Sequence, residues 1–434
     1  GCVAHVSLAY PTCPALSRDR QVRVAALIPV VLAVGARARA QQVVPLPELR
    51  VGAVHAEIVV DGRLDDPSWL SADVSSPLTT VEPVEGGEPN GQTEVRVLAD
   101  SKSIYIETRF GDVDQLHRVD EPGGARYQLT FGDEPVGEVR RQPRGENIAF
   151  TLDVGGDEFD QVFLLDPEDG LVRMISDGAA LNNRMAWDRQ GRNLAYRSTR
   201  RNGRSNDIWI QDVESGSPAS LVLETDDGAL WKPIDFSRDG KKLLIQQFLS
   251  VIDSRIYVKD LPDGELQLLA GSAENPSSNI ATGFSHDDRY VLFVTNQRNG
   301  AAELAKTRLG GATETAFMSA ASYWDITQFV LNPDRNRGAF VSNEGGISKL
   351  YLFDPERLVY KLVRKIPDGL ISGLIFSPDG RKLGMTLNSA RNPNDAFVLE
   401  LGRKPLRYRS LKRWTFSCLL YTSDAADDRR GVLL

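Results

Sequence analysis

Ser377, Pro378, Asp379 and Gly380, within "FSPDGRKLGMT", put a hydroxyl two residues from a carboxylate between apolar stretches. Serine hydrolysis also needs a base to take the hydroxyl proton, so the histidines decide whether such a pair can act. The 434 residues hold four: His5, His55, His117 and His286. His117 falls in the expected strand "LHRVD", His286 at the variable position of a similar turn, "FSHDD", and His55 in a linker. His5 precedes the expected mature start, and none of the four is expected to be a triad base. The pentapeptide G-x-S-x-G, which exposes a nucleophilic serine at a strand-to-helix turn, does not occur.

Other chemistry is thin. No Cys or His cluster has metal-ligand spacing, and no glycine-rich phosphate loop appears. Asp pairs at 65, 226 and 287 fall in expected turns. In "STRRNGR" (198–204), Arg200, Arg201 or Arg204 could meet a substrate carboxylate, but a solvated loop between strands is the simpler reading. No catalytic, metal or cofactor-binding residue is expected, no cofactor, and no substrate-binding residue is assigned.

What the tetrapeptide does mark is a repeat. "WDRQGRNLAY", "FSRDGKKLLI", "FSHDDRYVLF", "LNPDRNRGAF" and "FSPDGRKLGM" share one pattern, with a fainter copy in "RQPRGENIAF". Taking the turn position as Gly145, Gly191, Gly240, Asp288, Arg335 and Gly380, successive spacings lie between 45 and 49 residues. So steady a period is a repeat architecture. Each unit reads as four meandering strands, for example "FSRDGKKLLIQQF" followed by "RIYVKDLPDGELQLLAG", which is the pattern of a propeller blade. Runs such as "LLI" and "VLFV" fit a sheet buried on both faces. Seven second halves against six first halves predict an all-β, seven-bladed propeller: six complete blades and a partial first blade whose opening hairpin is missing or replaced. "VRVLADSKSIYIETRF" is a candidate replacement.

The bulk numbers agree. Hydrophobic content of 41% and charged content of 25% describe a globular chain, neither disordered nor membrane-spanning. A net charge of −8 argues against a nucleic-acid partner. Arg18, Arg20 and Arg23 precede the apolar "VAALIPVVLAVGA", which closes at Ala38-Arg39-Ala40, so residues 1–40 read as upstream translation and a signal peptide. A periplasmic or secreted chain follows, with no membrane contact after cleavage and with Cys418 as its one cysteine. Residues 417–434, with "SCLLYTSDAADD", resemble a translated sequencing adapter and are expected to be a non-native tail.

Two family resemblances follow. In the segment 41–114, residues 58–114 resemble the front of a family 9 carbohydrate-binding-module-like β-sandwich, on Asp61-Gly62, Leu64-Asp65, Pro67, Trp69 and the later "TEVRVLAD" and "IYIETRF". There Trp69 is expected to be a buried anchor, with sugar stacking as the alternative. Residues 115–416 resemble the propeller of the prolyl oligopeptidase family of serine peptidases, in its dipeptidyl- or acylaminoacyl-peptidase branch. The resemblance rests on "LHRVDEPGGARYQLTFGDEPVG", "DVGGDEFDQVFLLDPEDG", "FVSNEGGISKLYLFD" and "LISGLIFSPDGRKLGMTLNSARNPNDAFVLEL". It implies a ring that gates and orients peptides for an α/β-hydrolase domain, whose triad is not in this sequence, so the chain itself is expected to be inactive. The alternatives are a stand-alone periplasmic TolB-like scaffold with protein partners, and a carbohydrate-binding module.

Overall fold

In the computed structural model of the chain, the described residues are 96–99, 103–109, 113–298, 300–310, 315–318, 324–389 and 392–415. The signal peptide, His5, His55, Trp69, Cys418 and the tail 417–434 lie outside them, as does almost all of the sandwich-like segment.

Among the described residues, twenty-eight strands form seven four-stranded antiparallel sheets, each in sequence order from one edge to the other. The innermost strands are Arg96–Ala99, Val136–Arg141, Asn182–Trp187, Leu230–Phe236, Asn279–Phe284, Ile326–Leu331 and Leu370–Phe376, and those of blades 2 to 7 wall an axial channel. This is the seven-bladed propeller that the repeat predicts. Each inner strand begins at one face of the ring, here the loop face, and in blades 2 to 7 ends at the repeated turn on the other, the turn face.

The sequence makes blades because both faces of each sheet are apolar. Seven buried clusters result, one in each joint between neighbouring blades. Between blades 4 and 5, for example, Leu244, Ile256 and Val258 meet Phe284, Val291 and Phe293. At about 25 cal/mol per Å² of apolar surface removed from water, each such side chain contributes about 1.5–3 kcal/mol. Stability is therefore shared around the ring.

The first blade is complete, which corrects the expected partial one. Arg96–Ala99 and Ile104–Arg109 pair as a hairpin, and Ile106 stands opposite His117 on the third strand. The ring thus begins at Arg96, ahead of the boundary at 115, and the candidate replacement hairpin fills the place. It lacks the S-x-D-G turn that marks the other blades, and so stands outside the repeat. Its Ile104 and Ile106, with Val119, pack on Ala396, Val398 and Trp414 of blade 7, and the Gly123 N–H donates to the Trp414 carbonyl at 3.0 Å. That joint closes the ring by burying the facing sides of the first and last blades.

Candidate functional site

The serine and carboxylate of the repeated turn bond to each other and to the turn itself. Ser377 is 0% exposed; its Oγ donates to Asp379 Oδ1 at 2.6 Å and accepts the Lys382 N–H at 2.9 Å. Ser237 and Ser285 repeat this with Asp239 and Asp287 at 2.7 Å each, and with the N–H groups of Lys242 and Tyr290. Where serine is replaced, another polar side chain caps the turn: Asp188 accepts the Arg192 N–H at 2.9 Å and Asn332 the Arg337 N–H at 2.9 Å. Gly191, Gly240 and Gly380 take the left-handed conformation that closes the turn, as do Asp288 and Arg335. Blade 2 departs from the expected pattern: the left-handed residue is Arg144, φ 57°, one position before Gly145.

The two described histidines are placed as expected. His117 is buried in its strand with Nδ1 3.0 Å from the Gln115 carbonyl, and burial lowers its pKa below the ordinary 6.5. Exposed His286 holds its turn position, with Nδ1 2.6 Å from the Asp334 carbonyl of the next blade. In the arginine loop, Arg201 binds Asp207 at 2.7 Å, Glu224 at 2.8 Å and Asp226 at 2.9 Å. Arg200 lies 4.5 Å over the Trp209 ring and donates to Ser198 and Tyr196. Both are therefore committed to holding the loop, while Arg204 is exposed. Among the described residues no group of three or more His, Cys, Asp or Glu could hold a metal ion.

The site that the fold itself creates is the channel, a cavity of 680 Å³ on the turn side of the ring. Eight of its lining residues are Arg or Lys and four are Asp or Glu, so the channel is cationic inside a chain of net charge −8. Bulges aim several of these side chains. Gly137 and Glu138 stand opposite Thr151 alone, and Arg184 and Met185 opposite Tyr196 alone, so each inner strand kinks and turns a charged side chain toward the axis. Arg184 has φ 59°, an uncommon conformation for a residue with a Cβ. Lys232 joins them from blade 4. The repeat does not reveal these residues, although a charge four or five positions ahead of the turn in "VGEVRRQ", "NNRMAWD" and "WKPIDFS" is a signal that could have found them.

At the turn face, polar side chains link blades that are not neighbours. Arg189 of blade 3 meets Asp288 of blade 5 at 3.2 Å, and Asp288 also accepts the Arg238 N–H of blade 4 at 2.7 Å. Arg335 of blade 6 pairs with Asp235 of blade 4 and donates to the Phe284 carbonyl of blade 5 at 3.1 Å. Burial and the nearby Arg335 charge hold Arg189 below its usual pKa, with Asp235 and Asp288 acting against them.

No family model matches the chain, and no curated protein matches it. Solved structures do. A structure from a study of inter-domain dynamics in the catalysis and specificity of two prolyl endopeptidases superposes with a TM-score of 0.59 at 12% identity, covering 75% of this chain and 50% of that one. Prolyl oligopeptidase B from Galerina marginata, without ligand, gives 0.58 at 13%, covering 75% and 52%. A His-to-Ala mutant of that enzyme bound to a 35-residue hydrolysis and macrocyclization substrate gives 0.57 at 12%, covering 74% and 51%. The chain thus spans about half the length of the proteins it matches, and what it shares with them is the fold of the prolyl oligopeptidase propeller.

Proposed function

We propose that this ring is the gating propeller of a secreted serine peptidase of the prolyl oligopeptidase type, orienting peptides for an α/β-hydrolase domain not included in these 434 residues. The observation that carries this reading is the chemistry of the loop face. Phe131 and Val251 are each 80% exposed there and Ile252 66%, with Phe159, Trp324 and Leu370 exposed on the same side in other blades. Exposed apolar side chains clustered around one face mark a surface that another protein domain covers. The turn face carries the channel mouth with polar side chains around it, and Leu171 is exposed in the outer turn of blade 2. A hydrolase seated on the loop face would receive peptides that pass along the axis, and the ring would exclude folded proteins by size. A dipeptidyl or acylaminoacyl preference, and export, belong to the same proposal.

Recovering the genomic sequence past Phe416 tests it. A reading frame that continues into a G-x-S-x-G pentapeptide is the expected result, and an early stop codon favours a stand-alone scaffold. The purified chain should not turn over a dipeptidyl or acyl-alanyl chromogenic substrate. Turnover above blank would place the chemistry in the ring and sink this division of labour.

A further inference from the structure

On the channel wall of blades 2 to 4, Arg140, Arg184 and Lys232 lie near the carboxylate of Glu138. The carboxylate is already taken: Glu138 Oε1 accepts from Arg140 at 2.7 Å and Oε2 accepts the Met185 N–H at 3.1 Å. Lys232 is half-buried, and its pKa is lowered by burial and by Arg184 and Arg140, with Glu138 opposing. Behind the same wall, burial and the Arg184 charge push Arg197 down to about 10. Among the described residues the side chains of Lys232 and Arg184 have no hydrogen-bond or ion-pair partner. Arg184 is moreover held at φ 59° in a bulge, a conformation that costs a non-glycine residue on the order of 1 kcal/mol. Lys232 is the half-buried member, while Arg184 and Arg140 are exposed to the channel; three cations there face the single carboxylate of Glu138, and an anion between them relieves the excess positive charge.

We propose that Lys232, Arg184 and Arg140 form an oxyanion subsite in the channel, which takes a carboxylate of an acidic peptide. The Arg184 guanidinium fork suits the two carboxylate oxygens, Lys232 supplies a mobile third donor, and Arg140, paired with Glu138, adds positive charge beside them. The proposal rests on the gating reading only for the identity of its ligand.

The test is calorimetric titration of the full chain with acetyl-Ala-Glu-Glu, with its uncharged counterpart acetyl-Ala-Gln-Gln-amide, and with inorganic phosphate. The acidic peptide should bind at least about tenfold more tightly, the scale of one charge-assisted hydrogen bond. Lys232→Met should abolish most of that preference. Arg184→Gly should reduce it while leaving the melting temperature unchanged or higher, because glycine takes positive φ freely. A residue serving only the fold would instead lose stability on that change. Equal affinity for the two peptides, or a preference untouched by both variants, overturns the subsite and leaves the gating reading standing. Phosphate binding without peptide discrimination overturns the peptide as its ligand. An early stop codon past Phe416 would remove the gating reading and leave the measured anion preference intact.

Discussion

Arg335, at the tip of the blade 6 turn, forms a buried ion pair with Asp235 on the inner strand of blade 4, reaching past blade 5. Arg335 occupies the turn position that is glycine in blades 3, 4 and 7, and it holds φ 56° there. The strained backbone and the cross-ring pair belong together, since a glycine would relax the turn but would have no side chain to span the mouth.

Removing one partner should therefore be costly. Arg335→Ala is expected to destabilise the ring by about 3–5 kcal/mol, leaving Asp235 buried with the Phe284 N–H as its remaining partner in this network. Arg335→Gly should lose about 1 kcal/mol less, because it relieves the left-handed strain. Urea denaturation of the two variants measures the difference, and equal losses would show that the backbone there is unstrained.

The turn serine makes a sharper contrast between chemistry and structure. Ser377→Ala should cost about 1–2 kcal/mol, since the Lys382 N–H and Asp379 both lose a partner. A fluorophosphonate probe should not label the intact chain at Ser377. Labelling there would contradict the capping role.

Ring closure depends on the joint between blades 7 and 1. Trp414→Ala should destabilise by about 3–5 kcal/mol and raise hydrogen exchange first in blades 1 and 7. Uniform loss of protection, blade 4 included, would mean that the seven joints open together.

His117 sets a pH dependence. Its pKa in the fold lies below 6.5 because burial disfavours the cation; the Gln115 carbonyl opposes this and Arg126 adds to it. The folded chain then binds fewer protons than the unfolded one, so this contribution is intact above pH 6.5 and lost as pH falls from 6.5 through the folded value. His117→Asn, which keeps a donor for the Gln115 carbonyl, should flatten the stability curve between pH 7 and 5. An unchanged slope would assign the acid sensitivity to other groups.

The sequence by itself determined the repeat, the four-stranded unit and the number of blades. Those properties are local: a polar cap at Ser237 or Asn332, a left-handed residue three positions on, and apolar strands on either side follow from a few adjacent residues. It also predicted Ser377 as part of a turn, since the pattern recurs with Ser237 and Ser285, and the structure shows all three as caps of that turn. The first hairpin was only a candidate, because its turn carries no repeat signature and its place is set by packing against Ala396 and Val398, almost three hundred residues away. Only the tertiary structure decided the sign of the channel. Net charge sums over the whole surface, whereas ring closure brings Arg140, Arg184 and Lys232 from three separate blades onto one wall. Their convergence depends on bulges and blade order, which no single stretch of the chain encodes.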